Sequence, residues 1–357
     1  MMGANRMGKA GRLVALVAVA STLMLAIGLI VPTLRILPAA RANAPARLSD
    51  RDFWRLSDDA SEANGYFRSD NLTSNELGFE RVIPELVART RPGEAYLGVG
   101  PEQNFTYIAA LRPSIAIIFD IRRGNLLVQL MYKAIFELTK NRADFVSMLF
   151  SRPRPPSLSA AAPVTDLFAA FAGTVNDEAL YERNLRTITD QLLKSHNLPL
   201  SAADVDGLRR IYRVFFDRGS AVRYSPTYSD LMTATDEAGE FRSYLASESN
   251  FMILRDLESK NLIVPVVGDF AGAKAIRRVA AYLKSHSATV GAFYLSNVEQ
   301  YLQDGKWSAF CRNVATLPLD ASSTFIRSAS GRGNGFGPGF VSSLGSMSAE
   351  TRSCPAN

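Results

Sequence analysis

The sequence predicts an α/β protein: a doubly wound, mostly parallel sheet with helices on both faces. Three observations predict it. Short apolar runs at Ala95–Val99, Ile115–Phe119, Leu262–Val267 and Val290–Leu295 alternate with helical patterns, as expected where each strand is buried on both faces by crossover helices. The stretch Tyr96-Leu-Gly-Val-Gly-Pro-Glu-Gln-Asn104 reads as a strand entering a Gly-x-Gly turn and then a helix. The second run ends at Asp120, 20 residues after Gly100, the spacing at which a carboxylate meets nucleotide ribose hydroxyls in such sheets.

The elements follow in order. Residues 33–60 form a Pro/Ala/Arg spacer leading into an acidic helix start. The polar stretch Asn64–Glu76 is a loop, and Ser74 or Asn75 caps a helix through about Arg89, stopped by Arg91-Pro-Gly93. Glu102–Leu111 is a helix ended by Arg112-Pro113. A long helix runs from about Arg123 to Phe150, with Leu126, Leu127, Leu130, Met131, Ile135 and Leu138 on a helical period. Pro153, Pro155 and Pro156 break it.

Residues 157–236 read as a helical insertion with helices near 177–195 and 201–217, the second capped by Ser201 with Asp204 in box position. A helix returns near 237–259. Pro265 inside the third strand cannot donate to a ladder, which requires an edge or a bulge. Helices follow at 271–285 and from Val298. Thr324–Arg327 is a last strand, and the Gly/Ser-rich residues 330–357 read as a flexible tail. The domain therefore spans 45–329.

The chain has 357 residues, 47% hydrophobic and 21% charged, an ordinary globular composition. The formal charge of +6 lacks any Lys/Arg run of five, so no nucleic acid is expected as partner. The two histidines, His196 and His286, have no second ligand nearby, so no metal site is expected. The absence of a Gly-x-Ser-x-Gly elbow speaks against a Ser-His-Asp hydrolase. Both histidines read as helix C-terminal caps. Cys311 and Cys354 pair if the domain is exported; otherwise they are a buried hydrophobe and a tail thiol.

Leu13–Val31 is 19 residues without a charge, preceded by Arg6, Lys9 and Arg12. It is either a secretory signal cut at Ala42-Asn-Ala44 or an uncleaved membrane anchor. Its length exceeds a signal's apolar core, and Pro45 hinders cleavage, which favours the anchor. Arg35, Arg41, Arg47 and Arg51 leave the side of the membrane open.

The sheet brings four strand ends to one rim, where open α/β sheets bind ligands. The first supplies Gly98, Gly100, Pro101, Glu102, Gln103 and Asn104. The second supplies Asp120 and Ile121, the third Gly268, Asp269 and Phe270, the fourth Ser296 and Asn297. Asn75 and Glu76 are further candidates, within a loop that is either a lid or a set of caps. Asp120 is either a ribose acceptor or the partner of Arg122 or Arg123, and Asp269 either a site residue or a helix cap. Gln103 breaks a dinucleotide fingerprint. Glu102 places negative charge where a pyrophosphate would sit, which disfavours NAD and favours a cationic ligand such as S-adenosylmethionine.

The order of elements, the Gly-x-Gly turn after the first strand and the acid ending the second resemble the class I methyltransferase fold. The stretches GYFRSDNLTSNE, YLGVGPEQNFTYIAALRP, FDIRRGN, VPVVGDFAGAKAIRRVAAYL and FYLSNVEQYL resemble an uncharacterised bacterial family described only as methyltransferase-like. The resemblance covers roughly residues 53–328. It departs from the methyltransferase turn at Tyr96, in place of an acid, and at Glu102, in place of the third glycine. It implies a Rossmann-like domain with S-adenosylmethionine as cofactor, an unidentified acceptor, and Asp269 as the candidate catalytic residue. The alternative is a non-catalytic, membrane-tethered ligand-binding or scaffold protein on the same fold.

Overall fold

The computed structural model describes residues 45–222, 226–332 and 338–354. The 13–31 segment and the expected cleavage motif Ala42-Asn-Ala44 lie outside the described residues. Among the described residues, no helix is long and apolar enough to cross a membrane.

Six strands form one sheet: β1 Ala95–Val99, β2 Ala116–Asp120, β3 Ile263–Val267, β4 Val290–Ser296, β5 Thr324–Arg332 and β6 Pro338–Ser346. Their order is β3-β2-β1-β4-β5-β6. The first five are mutually parallel, and β6 runs antiparallel to β5. The chain builds outward from β1 to β3, then returns to the other side of β1 with β4. The winding thus reverses between β1 and β4, the place where such sheets leave a crevice. β2 and β3 are buried throughout, and β1 and β4 up to their last residue, which explains the unbroken apolar runs in the sequence.

The helices are α1 Asp50–Ala60, α2 Ile83–Arg89, α3 Gln103–Leu111, α4 Arg123–Leu138, α5 Arg142–Phe150, α6 Val164–Ala172, α7 Glu178–Asp190, α8 Ala202–Arg218, α9 Tyr228–Met232, α10 Glu248–Ser259, α11 Ala275–Ser285, α12 Lys306–Val314 and α13 Met347–Thr351. α4 packs on β2 and β3 and against α8 and α10, whereas α1 packs on β3 and against α11. The helices α6 to α9 make up the insertion. The predicted capping box at its centre is present, with Ser201 Oγ accepting from Asp204 N at 3.2 Å and Asp204 Oδ2 accepting from Ser201 N at 2.9 Å.

β3 is an edge strand, so Pro265 costs no ladder bond. Its carbonyl accepts from Ser57 Oγ of α1 at 2.5 Å, and α1 covers this edge.

Three expectations are corrected. The long helix breaks after Leu138, because Asn141 starts a new one by accepting from Asp144 N at 3.0 Å. The helix expected from 237 begins at Glu248, after a turn closed by a bridge between Thr235 and Phe241. The expected tail instead contributes the end of β5, all of β6 and α13. Strand formation is favoured there by pairing along β5 rather than by composition. The chain end is held by a disulfide between Cys311 of α12 and Cys354, with Cα atoms 5.6 Å apart.

Candidate functional site

A cleft of about 470 Å³ opens at the carboxyl ends of β1 to β4, within the range of roughly 300–1,000 Å³ typical of small-molecule sites. β1 lends it Gly100 and Pro101, and β2 lends Asp120 and Ile121. β3 and the turn after it lend Gly268, Asp269 and Phe270, and β4 lends Ser296, followed by Asn297. Asn75 and Glu76 enter from the segment before α2. These residues, separated by more than 200 positions in sequence, share one crevice.

Gly98, Glu102, Gln103 and Asn104 do not line it, and each has a packing reason. A Cβ on Gly98 would stand 1.8 Å from Asn104 Oδ1, so the space beside Gly98 belongs to a neighbouring side chain and not to a ligand. Asn104 accepts from Tyr96 OH at 2.9 Å and donates to the carbonyls of Val99 and Pro101 at 3.0 and 2.8 Å, bracing the turn from inside. Gln103 Nε2 donates to Glu76 Oε2 at 3.2 Å. Glu102 is fully buried, and its carboxyl oxygens accept one backbone N–H, from Ser74 at 3.1 and 3.2 Å. Burial pushes its pKa up to about 7. The negative charge expected over the helix start therefore faces the interior.

Gly100 has φ +82°, and a Cβ there would meet nothing within 4 Å. Its carbonyl is turned inward, accepting from Asn125 Nδ2 and Gln129 Nε2, each at 3.0 Å. This fixes the outward side of the turn against the cleft.

Asp120 sits on the cleft already paired. Oδ1 accepts from Arg122 N at 2.8 Å and Nε at 3.0 Å, and Oδ2 from Nη2 at 2.9 Å. Arg122 also donates to Ser69 O at 3.0 Å, tying the 64–76 loop to β2. Arg123 turns away to Asp204 of the insertion, whose pKa it holds at about 2 through a hydrogen bond. Asp269 Oδ1 accepts from Ala271 N at 2.9 Å, a local turn before α11. At the start of α11, Glu62 accepts from the N-cap Lys274 N at 2.8 Å and from the first helical N–H, Ala275 N, at 3.2 Å. That helix start is thus closed to an external anion.

The centre of the site is a residue that sequence reasoning placed only among further candidates. Glu76 is 1% exposed. Its Oε2 accepts from Tyr294 OH at 2.8 Å, from Gln103 Nε2 and from Ser328 Oγ, and its Oε1 from Ser296 Oγ. Burial and the nearby Glu76 raise the Tyr294 pKa, which keeps this phenol a donor. Ser296 has φ +52° and follows a register shift in the β4–β5 pairing. Bulges and left-handed residues re-aim side chains, and here the hydroxyl is turned onto Glu76.

At the mouth, Phe67 packs edge-on against Tyr301 with centroids 5.3 Å apart, and Arg68 Nη2 donates to Tyr301 OH at 3.3 Å. Thr73, Tyr294 and Lys306 also line the cleft. Thr73 had one sequence signal, the density of hydrogen-bonding groups in Asn64–Glu76, and Tyr294 and Lys306 had none.

Neither histidine lies in the cleft. His286 caps α11, with Nδ1 2.8 Å from Tyr282 O. His196 also stands at a helix C-cap, after the turn Gln191–Ser195, and its ring bridges two acids, with Nδ1 2.7 Å from Asp50 Oδ1 and Nε2 2.6 Å from Glu137 Oε2. Among the described residues no group of His, Cys, Asp and Glu could hold a metal ion.

Fold and cleft together define an α/β protein with a ligand-sized crevice where its parallel sheet reverses winding. The chain belongs to a family described as a domain of unknown function, DUF7790, whose model matches residues 72–344. No curated protein matches the chain.

Proposed function

We propose that the rim cleft binds S-adenosylmethionine and that the chain is methyltransferase-like, with an unidentified acceptor. The observation that carries this reading is the crevice itself: a cleft of about 470 Å³ at the β1/β4 reversal, bordered by the open Gly100 turn and by Asp120 and Asp269. Its lining sets Glu76, Asp120 and Asp269 against Arg68, Arg122 and Lys306, but Asp120 is spent on Arg122. The buried Glu76, without a cation partner among the described residues, favours an adenosine derivative bearing positive charge over a pyrophosphate. Glu102 no longer contributes to that preference, and Glu76 takes its place. Catalysis there would rest on holding an acceptor in line with the methyl group. Asp269 is the candidate base, since its Oδ2 has no partner among the described residues.

Calorimetry of the purified protein with S-adenosylmethionine, S-adenosylhomocysteine and NAD tests this. Heat is expected with the first two and none with NAD. A folded sample silent to both adenosyl compounds rejects the reading.

A second reading, a tethered and exported binding or scaffold protein, is favoured by the Cys311–Cys354 bond, since disulfides persist in oxidising compartments where S-adenosylmethionine is scarce. A topology reporter fused after Asn357, together with non-reducing peptide mapping of the two cysteines, decides between them. A cytoplasmic domain with free thiols sinks the second reading.

A further inference from the structure

The carboxyl group of Glu76 is buried at the winding reversal of the sheet with hydroxyl and amide partners but, among the described residues, no cation. Its two oxygens are unequally occupied. Oε2 accepts from Tyr294, Ser328 and Gln103, whereas Oε1 accepts from Ser296 alone. A carboxylate offers about four lone-pair positions, two on each oxygen. Oε1 therefore retains an acceptor position, on a residue that lines the cleft.

Ser296 adds a second acceptor. Its hydroxyl proton is directed to Glu76, so its remaining lone pairs can only receive. Thr73 supplies an independent third observation. It is 1% exposed, lines the same cleft, and its Oγ1 finds no hydrogen-bond partner among the described residues. Buried hydroxyls are rarely left so, and a bound group would satisfy it.

Thr73, Glu76 and Ser296 line the one cleft, and an oxygen of each can accept, which matches the three N–H donors of a primary ammonium. A ligand hydroxyl has one donor, and a sulfonium or quaternary ammonium has none. An anion would meet the uncompensated carboxylate. We infer that the Thr73–Glu76–Ser296 corner of the cleft is a subsite for the primary ammonium group of a ligand. The placement rests on the cleft being a ligand site, as proposed above. The ammonium belongs either to the amino-acid end of an adenosine derivative or to a separate amine bound beside it.

The test uses calorimetry on the full chain with two probes that differ in the amino-acid end, S-adenosylhomocysteine and 5′-methylthioadenosine. A third probe, tyramine, is compared with 4-ethylphenol by NMR titration. Variants S296A and T73V each remove one acceptor and leave most of the Glu76 partners in place. E76Q is added where circular dichroism shows native folding. If the ammonium is that of the adenosine derivative, S-adenosylhomocysteine binds at least tenfold tighter than methylthioadenosine. S296A and T73V then erase that preference without weakening methylthioadenosine. If it belongs to a separate amine, the two nucleosides bind alike, while tyramine binds at least tenfold tighter than 4-ethylphenol and S296A abolishes the difference. Preferences absent in both pairs, or present and untouched by S296A and T73V, overturn the inference. Failure of both nucleosides to bind overturns the adenosine reading alone, and the tyramine pair still decides the subsite.

Discussion

Two buried glutamates flank the same serine and have opposite fates. Glu76 N donates to Ser74 Oγ at 3.2 Å, and the Glu76 carboxyl group gathers hydrogen bonds from Tyr294, Ser296, Ser328 and Gln103. Glu102 accepts only the Ser74 N–H and lies among the buried phenols of Tyr132, Tyr228 and Tyr244, whose pKa values are raised by burial and further by its charge. One carboxyl group borders the cleft with four hydrogen-bond donors, three of them on a single oxygen. The other is driven toward its neutral form at about pH 7. Both acids are buried, and they differ in how many partners offset that burial.

The largest effect should come from cutting the partnered member. Glu76→Ala leaves Tyr294, Ser296, Ser328 and Gln103 with buried donors unpaired. At about 1–3 kcal/mol for each orphaned group, partly relieved by repacking, the loss should be on the order of 3–5 kcal/mol. Urea unfolding at pH 7 measures it, and a loss below about 1 kcal/mol would show that these donors find other partners easily.

The unpartnered member should appear as a pH slope. The Glu102 pKa is about 7 folded and ordinarily 4.5, so between these values the native state holds a proton that the unfolded chain has released. Stability therefore falls as pH rises from 4.5 to about 7, by at most roughly 3 kcal/mol from this group. Glu80 and Glu258, which burial pushes up to about 8, act in the same direction. Glu102→Gln should flatten the slope between pH 5 and 8 without removing it. Thermal melts across that range are the measurement, and a slope identical to that of the wild type removes Glu102 from the account.

The contrast also shows what was legible in advance. The strands, the Gly-x-Gly turn and the strand ends meeting at one rim follow from runs of buried apolar residues, a local signal. Pro265 called for an edge or a bulge, and the edge is what β3 occupies. Which side of the turn Glu102 faces is not local, because it depends on Ser74 arriving from 28 positions away. The role of Glu76 depends on Tyr294 and Ser328, more than 200 positions away. The β5–β6 hairpin was hidden because Gly and Ser carry little strand propensity and pairing along the neighbour decides. The break after Leu138 was hidden because the apolar period runs straight across a cap made by one side chain, Asn141.

A second acid pair sharpens the comparison by having a cation. Glu137 and Asp50 clamp His196 between α4 and the start of α1, with Lys133 beside Glu137 at 2.7 Å and Gln191 donating to it at 2.8 Å. The hydrogen bond to Glu137, and then that to Asp50, raise the His196 pKa despite burial. A raised histidine contributes below its unfolded pKa and loses that contribution as pH rises through the folded one. His196→Ala should cost about 1–2 kcal/mol at pH 6, in the range of hydrogen bonds to charged groups, and less at pH 9. An equal cost at both values would mean that packing, and not charge, holds this clamp.

The smallest effect belongs to the turn itself. Gly100 holds φ +82° with open space where a side chain would grow. Alanine there meets no atom and costs only the left-handed backbone, about 1–2 kcal/mol. Its methyl group would project on the cleft side, because the Gly100 carbonyl is pinned inward by Asn125 and Gln129. Gly100→Ala should therefore lower stability modestly while weakening adenosyl-ligand binding tenfold or more in calorimetry. If the stability cost appears and binding is unchanged, the ligand does not approach this turn, and the Thr73–Glu76–Ser296 corner has to carry recognition without it.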